Sequence, residues 1–130
     1  FLYIEHDRVV GFFTTAASLT TIKRAYRKAK RILSRSVSEY PTIDIVYFAI
    51  DRRYQGNGYG KTLMKYVLNS LYKNVIPFTG VSLVTVQALQ SASDFYKGQF
   101  QFEPHASNNH KGKQDLALTI SEIKRLLYGS

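Results

Sequence analysis

The pattern of apolar residues in the first half of the chain is typical of strands in two segments and of a helix in a third. Residues 1–5 and 9–18 are rich in β-branched and aromatic residues, and a turn near residues 7–8 separates them, which predicts a β-hairpin. Residues 22–37 contain neither glycine nor proline, and their apolar members recur every three or four residues, which predicts an amphipathic helix. The apolar face of this helix would consist of Ile22, Ala25, Tyr26, Ala29 and Leu33.

Local signals set the ends of this predicted helix. Thr20 or Thr21 would cap its N-terminus with a side-chain oxygen. Tyr40-Pro41 would end it, because the residue before a proline avoids helical dihedral angles.

The second half of the chain alternates strands and helices, which favours one α/β domain built on a mixed sheet. Nearly continuous apolar runs at residues 42–51 and 81–89 predict buried strands, and a helical pattern covers residues 61–73 between them. The remaining predicted elements are a short helix at 91–97 with Ser91 as its cap, strands at 100–102 and 115–120, and a last helix from Ser121 to Leu127.

A glycine-rich loop, Q-G-N-G-Y-G-K at residues 55–61, joins the first buried strand to the helix that follows. Such a loop lets the backbone approach an anion closely, and the first free N–H groups of the helix point toward it. A Walker loop requires a glycine where Gln55 stands, and a dinucleotide fingerprint requires one where Lys61 stands. The loop does match Q/R-x-x-G-x-G/A, read as Gln55, Gly58 and Gly60.

Composition and charge narrow the classes of function. The chain has no cysteine, and its three histidines lack metal-ligand spacing, so we expect no disulfide and no metal site. No apolar run reaches the roughly 20 residues of a membrane span, so we expect no membrane partner and a cytoplasmic location. The net charge is +9, and residues 23–35 contain seven basic residues and no acid.

The loop pattern and the strand–loop–helix–strand order around it resemble the GNAT superfamily of acetyl-CoA-dependent N-acetyltransferases. The resemblance covers residues 1–130 as a single domain and implies a fold in which the strands on either side of the loop and helix run parallel but splay apart. The family's first strand and first two helices have no counterpart in this sequence. We therefore expect the domain to be N-terminally incomplete, with those elements either upstream or absent.

This resemblance implies that acetyl-CoA is the cosubstrate. Backbone groups of Phe48, Ala49 and Ile50 would bind its pantetheine arm much as an added strand would. The loop would bind its pyrophosphate through Gln55, Gly56, Asn57, Gly58, Tyr59, Gly60 and Lys61.

A second signature, Ala92-Ser93-Asp94-Phe95-Tyr96, resembles the family's A-x-x-F-Y segment. Its tyrosine, Tyr96 here, would return a proton to the leaving thiolate, and a phenol with a pKa of about 10 suits that role. One departure stands out: the family usually has five residues from the tyrosine to the phenylalanine of a G-F pair. Here Phe102 lies six residues after Tyr96, and Gln101 replaces the glycine.

The basic segment at residues 23–35 indicates which class of molecule carries the acceptor amine. A helix with one cationic face suits contact with a phosphate backbone, and the predicted tRNA-binding residues are Lys23, Arg24, Arg27, Lys28, Arg31 and Arg35. No general base is assigned, although Glu5, Asp44 and Glu103 are available. An α-amino group, with a pKa of about 7.7–8.0 against about 10.4 for lysine, would keep a neutral fraction without one.

These two arguments agree with a layout that is similar to the acetyltransferase toxins of bacterial toxin–antitoxin modules, which acetylate the α-amine of aminoacyl-tRNA. The candidate partners are then acetyl-CoA, tRNA, a small antitoxin protein and a second copy of the chain. A GNAT enzyme acting on a protein N-terminus, a polyamine or another small amine is an alternative, although a polyamine would require an acidic pocket that the sequence does not show. A non-catalytic coenzyme A- or RNA-binding module is a further alternative.

Overall fold

A computed structural model describes residues 1–32, 39–106 and 112–129 of the chain. They form one six-stranded mixed sheet in the order β1-β2-β3-β4-β6-β5, with helices packed against it. This architecture confirms the predicted α/β class. In chain order the elements are β1 Leu2–Glu5, β2 Arg8–Thr21, α1 Arg24–Ala29, β3 Glu39–Ile50, α2 Tyr59–Asn74, β4 Leu83–Leu89, a π-helix Phe95–Gln99, β5 Glu103–Pro104, β6 Lys113–Thr119 and α3 Ile120–Tyr128.

The first two strands form the predicted hairpin. Its turn consists of His6 and Asp7, whose φ angles of 50° and 61° are both left-handed. Two such residues in succession are typical of the tight hairpin turn whose twist matches that of the flanking strands. The hairpin then continues into a long antiparallel pairing of β2 with β3, from Gly11 opposite Ile50 to Thr21 opposite Glu39.

The main core lies between the sheet and the pair α2 and α3. Helix α2 buries Leu63, Met64, Val67, Leu68 and Leu71, as its apolar pattern predicts. They pack against side chains from one face of the sheet and against Ile123 of α3. A smaller cluster on the opposite face joins α1 to the sheet through Ile22, Tyr26, Tyr40, Leu83 and Ala117.

The predicted helix at residues 22–37 is shorter than expected. Helix α1 ends at Ala29, and its N-cap is Lys23, without a side-chain capping bond. Thr20 pairs with Tyr40, and Leu19 with Pro41, so the predicted cap and stop signals instead lie in β2 and β3. Cross-strand pairing has placed both of these local signals in strands, while Leu33 and Arg35 lie outside the described residues.

Two predictions near the C-terminus are also wrong. Residues 100–102 are not a strand; the chain there leaves a helical turn, and Gln101 has a left-handed φ of 60°. Helix α3 is capped by Thr119 and not by Ser121. Thr119 and Glu122 form a reciprocal capping box, since each side chain accepts a hydrogen bond from the other residue's backbone N–H.

None of the helices in the described part of the chain is both long and apolar enough to cross a lipid bilayer. The same part contains no cluster of three or more His, Asp or Glu side chains that could hold a metal ion.

Candidate active site

The parallel strands β3 and β4 separate toward their C-terminal ends. Their pairing runs from Thr42 opposite Leu83 to Ile45 opposite Val86, although both strands continue for several residues beyond it. At this point Val46 is an extra residue in the pairing of β3 with β2, which makes it a β-bulge. A bulge bends its strand, so the splay that the resemblance implies is present, and it has a local cause.

The open edge of β3 directs alternate backbone groups into this gap. The N–H of Asp51 donates to the carbonyl of Val10 in β2 at 2.7 Å. Because successive residues of a strand direct their backbone groups to opposite sides, those of Phe48 and Ile50 point into the gap, and those of Ala49 point toward β2. The side-chain amide of Gln55 donates to the Ile50 carbonyl at 3.1 Å and ties the glycine loop to the strand end.

The glycine loop is a cradle of backbone N–H groups. Gly56 and Gly58 have φ angles of 83° and 81°, and a Cβ added at either would meet no atom within 4 Å. Their backbone conformation, and not crowding, therefore selects glycine. Gly58 is the N-cap of α2, and the N–H of Thr62 donates to its carbonyl at 3.1 Å. The N–H groups of residues 59–61 consequently have no acceptor within the helix, and the helix dipole favours an anion there.

A cleft of about 630 Å³ connects this cradle to the gap between the strands. Lys61 contributes the one charged side chain in its lining, and no carboxylate borders it among the described residues. Its size and its chemistry, with N–H donors at one end and an open strand edge at the other, fit acetyl-CoA. The cleft is lined by Phe48, Ala49, Ile50, Gln55, Gly56, Gly58, Gly60, Lys61, Ala92, Phe95, Tyr96 and Gln99.

Two residues of the predicted loop do not line this cleft. The side-chain amide of Asn57 lies 3.5 Å from the Tyr54 carbonyl. Tyr59 packs edge-on against Tyr3 and Tyr54, with ring centroids 5.9 Å apart in both pairs. Both residues therefore contact the loop and its surroundings.

Tyr96 lines the cleft from a cage of aromatic rings. Only 6% of its surface is exposed, and its ring packs edge-on against Phe48, Phe95 and Phe102 at centroid distances of 6.4, 5.2 and 5.6 Å. Burial raises the pKa of the Tyr96 phenol above its usual value. The hydroxyl is therefore protonated at neutral pH and can act as a proton donor.

The extra residue between Tyr96 and Phe102 is accommodated by a π-helix. Residues Phe95–Gln99 form this wider turn, which holds one more residue than an α-helical turn. Gln101, which stands where the family has glycine, has the left-handed φ of 60° that favours glycine. The N–H of Phe102 donates to the Tyr96 carbonyl at 3.1 Å. The rings of these two residues therefore remain in contact despite the extra residue between them.

The basic segment does not form one uniform cationic helix face. Lys23, Arg24, Lys28 and Arg31 are exposed, but Arg31 lies beyond the end of α1 in a left-handed conformation. Arg27 is half-buried, and its guanidinium donates to the Tyr40 hydroxyl at 3.3 Å.

Lys30 binds two carboxylates and is therefore not available to a ligand. Its ammonium lies 2.8 Å from Glu103 and 2.7 Å from Glu122. Burial opposes its charge, but hydrogen bonds to the two carboxylates outweigh that effect and raise the pKa of Lys30. The contacts attach the end of α1 to β5 and α3.

The three carboxylates considered as general bases have different partners. Glu103 binds Lys30, and Glu5 accepts a hydrogen bond from the Tyr3 hydroxyl at 3.1 Å. Asp44 lines a second cleft together with Thr85, His105 and Asp115. Sequence reasoning missed the last three, because they lie far apart along the chain and only the register of the sheet brings them together.

Residues 1–100 match the family model described as the acetyltransferase (GNAT) family. No curated protein matches the sequence.

The fold is similar to that of solved structures of toxins. A structure described as a bacterial toxin superposes with a TM-score of 0.78 at 20% identity, over 95% of this chain and 67% of that one. AtaT complexed with acetyl-methionyl-tRNAfMet gives a TM-score of 0.71 at 23% identity, over 94% of this chain and 69% of that one. AtaTR bound with acetyl-CoA gives 0.69 at 25% identity, over 96% of this chain and 70% of that one. The chain therefore spans about two thirds of the length of these structures.

Proposed function

The chain belongs to the GNAT acetyltransferase family, and from that premise we propose that it transfers the acetyl group of acetyl-CoA to the α-amine of the amino acid on aminoacyl-tRNA. As a member of this family it is an acetyl-CoA-dependent N-acetyltransferase. The tRNA acceptor is the proposed part. The observation that carries it is a cluster of exposed cations at and around α1, namely Lys23, Arg24, Lys28 and Arg31. Arg27 and Arg35 complete the proposed contact with the phosphate backbone.

The proposed roles of the cleft residues follow from their chemistry. When bound, acetyl-CoA supplies the activated acetyl thioester. The N–H groups of the loop at residues 55–61 would hold its pyrophosphate, and the backbone groups of Phe48 and Ile50 would orient its pantetheine arm. Tyr96 would hold a proton and deliver it to the thiolate sulfur as the neutral amine displaces it, and the proton that the amine loses would return to the phenol through solvent.

The fold of the relatives supports the same acceptor. One similar structure is AtaT complexed with acetyl-methionyl-tRNAfMet, at an identity of 23%. At that identity the likeness establishes the fold, so the acceptor must be tested directly. A small antitoxin protein and a second copy of the chain remain the other candidate partners that the sequence layout indicates.

The test is acetyl transfer from labelled acetyl-CoA onto total aminoacyl-tRNA, beside a panel of polyamines and of peptides with free N-termini. We expect label on charged tRNA and none on tRNA from which the amino acid has been removed. Label on polyamines or peptides but not on charged tRNA would reassign the acceptor to a small amine or a protein N-terminus. No transfer to any acceptor, with acetyl-CoA still bound, would favour the non-catalytic alternative.

A further inference from the structure

A second cleft, of about 510 Å³, lies on the face of the sheet that α1 partly covers. Asp44 of β3 and Thr85 of β4 are directly opposite each other. Their neighbours Ile45 and Val86 pack into the core with α2. Because side chains alternate along a strand, Asp44 and Thr85 face the other way, into this cleft.

Each carboxylate of the cleft is held through one oxygen. Asp44 Oδ1 accepts hydrogen bonds from the hydroxyls of Thr42, at 3.1 Å, and Thr85. Asp115 Oδ1 accepts one from the side-chain amide of Gln87, its direct cross-strand partner, at 3.2 Å. These bonds fix the orientation of both carboxylates, and Oδ2 of each has no hydrogen bond to another described residue.

His105 also lines the cleft, and it is 5% exposed. Its backbone is fixed by hydrogen bonds from its N–H to the Asp115 carbonyl and to its carbonyl from the Lys23 N–H, both at 3.1 Å. Its Nδ1 is buried and has no hydrogen-bond partner among the described residues, which is uncommon for a buried polar atom. Burial lowers the pKa of His105, so the ring is neutral at pH 7 and adds no positive charge to the cleft.

The charge of this cleft is opposite to that of the protein. The chain has a net charge of +9, yet the described residues that line the cleft include two carboxylates and neither lysine nor arginine. An acidic cleft of this kind attracts an ammonium group. The sequence shows no acidic cluster here because Asp44 and Asp115 are 71 positions apart.

The two clefts are lined by neighbouring parts of β3. Val46 lines the second cleft and Phe48 lines the first, so about 7 Å of strand separates them. An amine in the second cleft would therefore lie close to an acetyl group delivered through the first.

We infer that the second cleft binds the acceptor amine as it arrives in its protonated form, with Asp44 and Asp115 as its anionic ligands and His105 as an uncharged hydrogen-bonding partner. The bound ammonium releases its proton to solvent before the neutral amine attacks the thioester. The inference deepens the proposed function and rests on it for the identity of the acceptor. Exposed cations begin at Lys23, whose N–H donates to the His105 carbonyl, so the cationic segment and the acidic cleft adjoin. This arrangement complements a phosphodiester chain that ends in an ammonium group, as the 3′ end of an aminoacyl-tRNA does.

The test compares Asp44→Asn and Asp115→Asn with Asp7→Asn, which removes the same charge in the exposed β1–β2 turn. Asparagine can still accept the hydroxyl and amide hydrogen bonds, and it tolerates the left-handed φ of Asp7. We expect each cleft variant to raise KM for the best amine acceptor of the panel by about 10- to 100-fold, the effect of losing a hydrogen bond between charged groups. The dissociation constant for acetyl-CoA and the melting temperature should stay close to those of the wild type.

A competitor separates recognition of the ammonium from a merely structural effect. tRNA esterified with a hydroxy acid lacks the ammonium group. It should therefore bind the wild type more weakly than charged tRNA does and be a weak inhibitor. The two cleft variants should bind both kinds of tRNA about equally well. The inference would be overturned if both variants kept the wild-type KM for the acceptor. It would also be overturned if both variants still bound the hydroxy-acid ester more weakly than charged tRNA, as the wild type does. If small amines but not charged tRNA are acetylated, the proposed acceptor fails, and the KM comparison with the small amine still decides the inference.

Discussion

Burial of the Tyr96 ring extends to higher pH the range in which its hydroxyl is protonated. Burial raises the pKa of this phenol, and a proton donor works only in its protonated form. Activity that depends on Tyr96 is therefore retained at neutral pH and lost only as the pH rises through the raised pKa, above about 10. The aromatic cage thus keeps the donor in its active form.

We predict that Tyr96→Phe lowers kcat by about 10²- to 10⁴-fold, the usual contribution of a positioned general acid. The dissociation constant for acetyl-CoA should not change, because the ring and its packing remain. Tyr128→Phe is the matched control, since it removes a hydroxyl that bonds to Asn69 at the surface. Equal kcat in the two variants would show that Tyr96 has only a packing role.

Gln101 has a backbone conformation that suits glycine better. Its φ of 60° costs a residue with a side chain about 1–2 kcal/mol. Replacing Gln101 with glycine removes this cost, but part of the gain in stability is lost because glycine loses more conformational entropy on folding. We therefore predict that Gln101→Gly raises the free energy of unfolding by roughly 0.5–1 kcal/mol, measured by urea denaturation.

Gln99→Gly is the control for this prediction. Gln99 is part of the π-helix and is not among the residues with a positive φ, so glycine there should destabilise the fold. If both variants destabilise it equally, then Gln101 is not strained, and the account of the extra residue after Tyr96 is wrong.

At the scale of elements, a partly buried group of charges attaches the end of α1 to the rest of the fold. The Lys30 ammonium bridges Glu103 of β5 and Glu122 of α3. Burial of Glu122 opposes its charge, but hydrogen bonds from Lys30 and from the Thr119 backbone outweigh it and lower the pKa of this carboxyl. The stability that Glu122 contributes is thus fully present above its unfolded pKa, of about 4.3. It is lost as the pH falls through the lower pKa of the folded state.

We predict that Glu122→Gln lowers the free energy of unfolding at pH 7 by about 1–3 kcal/mol, the cost of weakening a partly buried charged hydrogen bond. The difference from the wild type should shrink as the pH falls below about 4.3, as followed by denaturant unfolding at a series of pH values. Glu103→Gln is the control: its side chain is 55% exposed, so its loss should be smaller. A difference for Glu122→Gln that does not change with pH would contradict this role.

Local patterns predicted the elements that local forces decide. The core face of α2 and the glycine loop follow from a 3.6-residue period and from positive φ angles, and both are features of short segments. The attachment of α1 to β5 and α3 could not be predicted in this way, because Lys30 contacts carboxylates more than 70 positions away along the chain. Likewise, Pro41 was predicted to end a helix, but it pairs with Leu19 in the sheet. The acidic cleft could not be predicted from local patterns either, because its lining residues come together only through the register of four strands.

At the scale of the whole molecule, the two faces of the sheet should contribute differently to nucleic-acid binding. Lys23, Arg24 and Lys28 are exposed beside the acidic cleft, whereas Lys65, Lys73 and Lys124 are exposed on α2 and α3, which pack on the opposite face. Changing either set to glutamine removes three positive charges. We predict that only the first change weakens binding of charged tRNA, because only that set adjoins the site proposed for the acceptor amine.

The measurement is KM for charged tRNA against salt concentration for the wild type and both triple variants. Each phosphate contact that is lost should reduce the slope of log KM against log salt by about 0.7–0.9. The first triple variant should therefore show a flatter line with weaker binding, while the α2–α3 variant should keep the wild-type slope. Equal flattening in both variants would mean that net charge alone attracts the tRNA, and the surface around α1 would lose its role as the docking site.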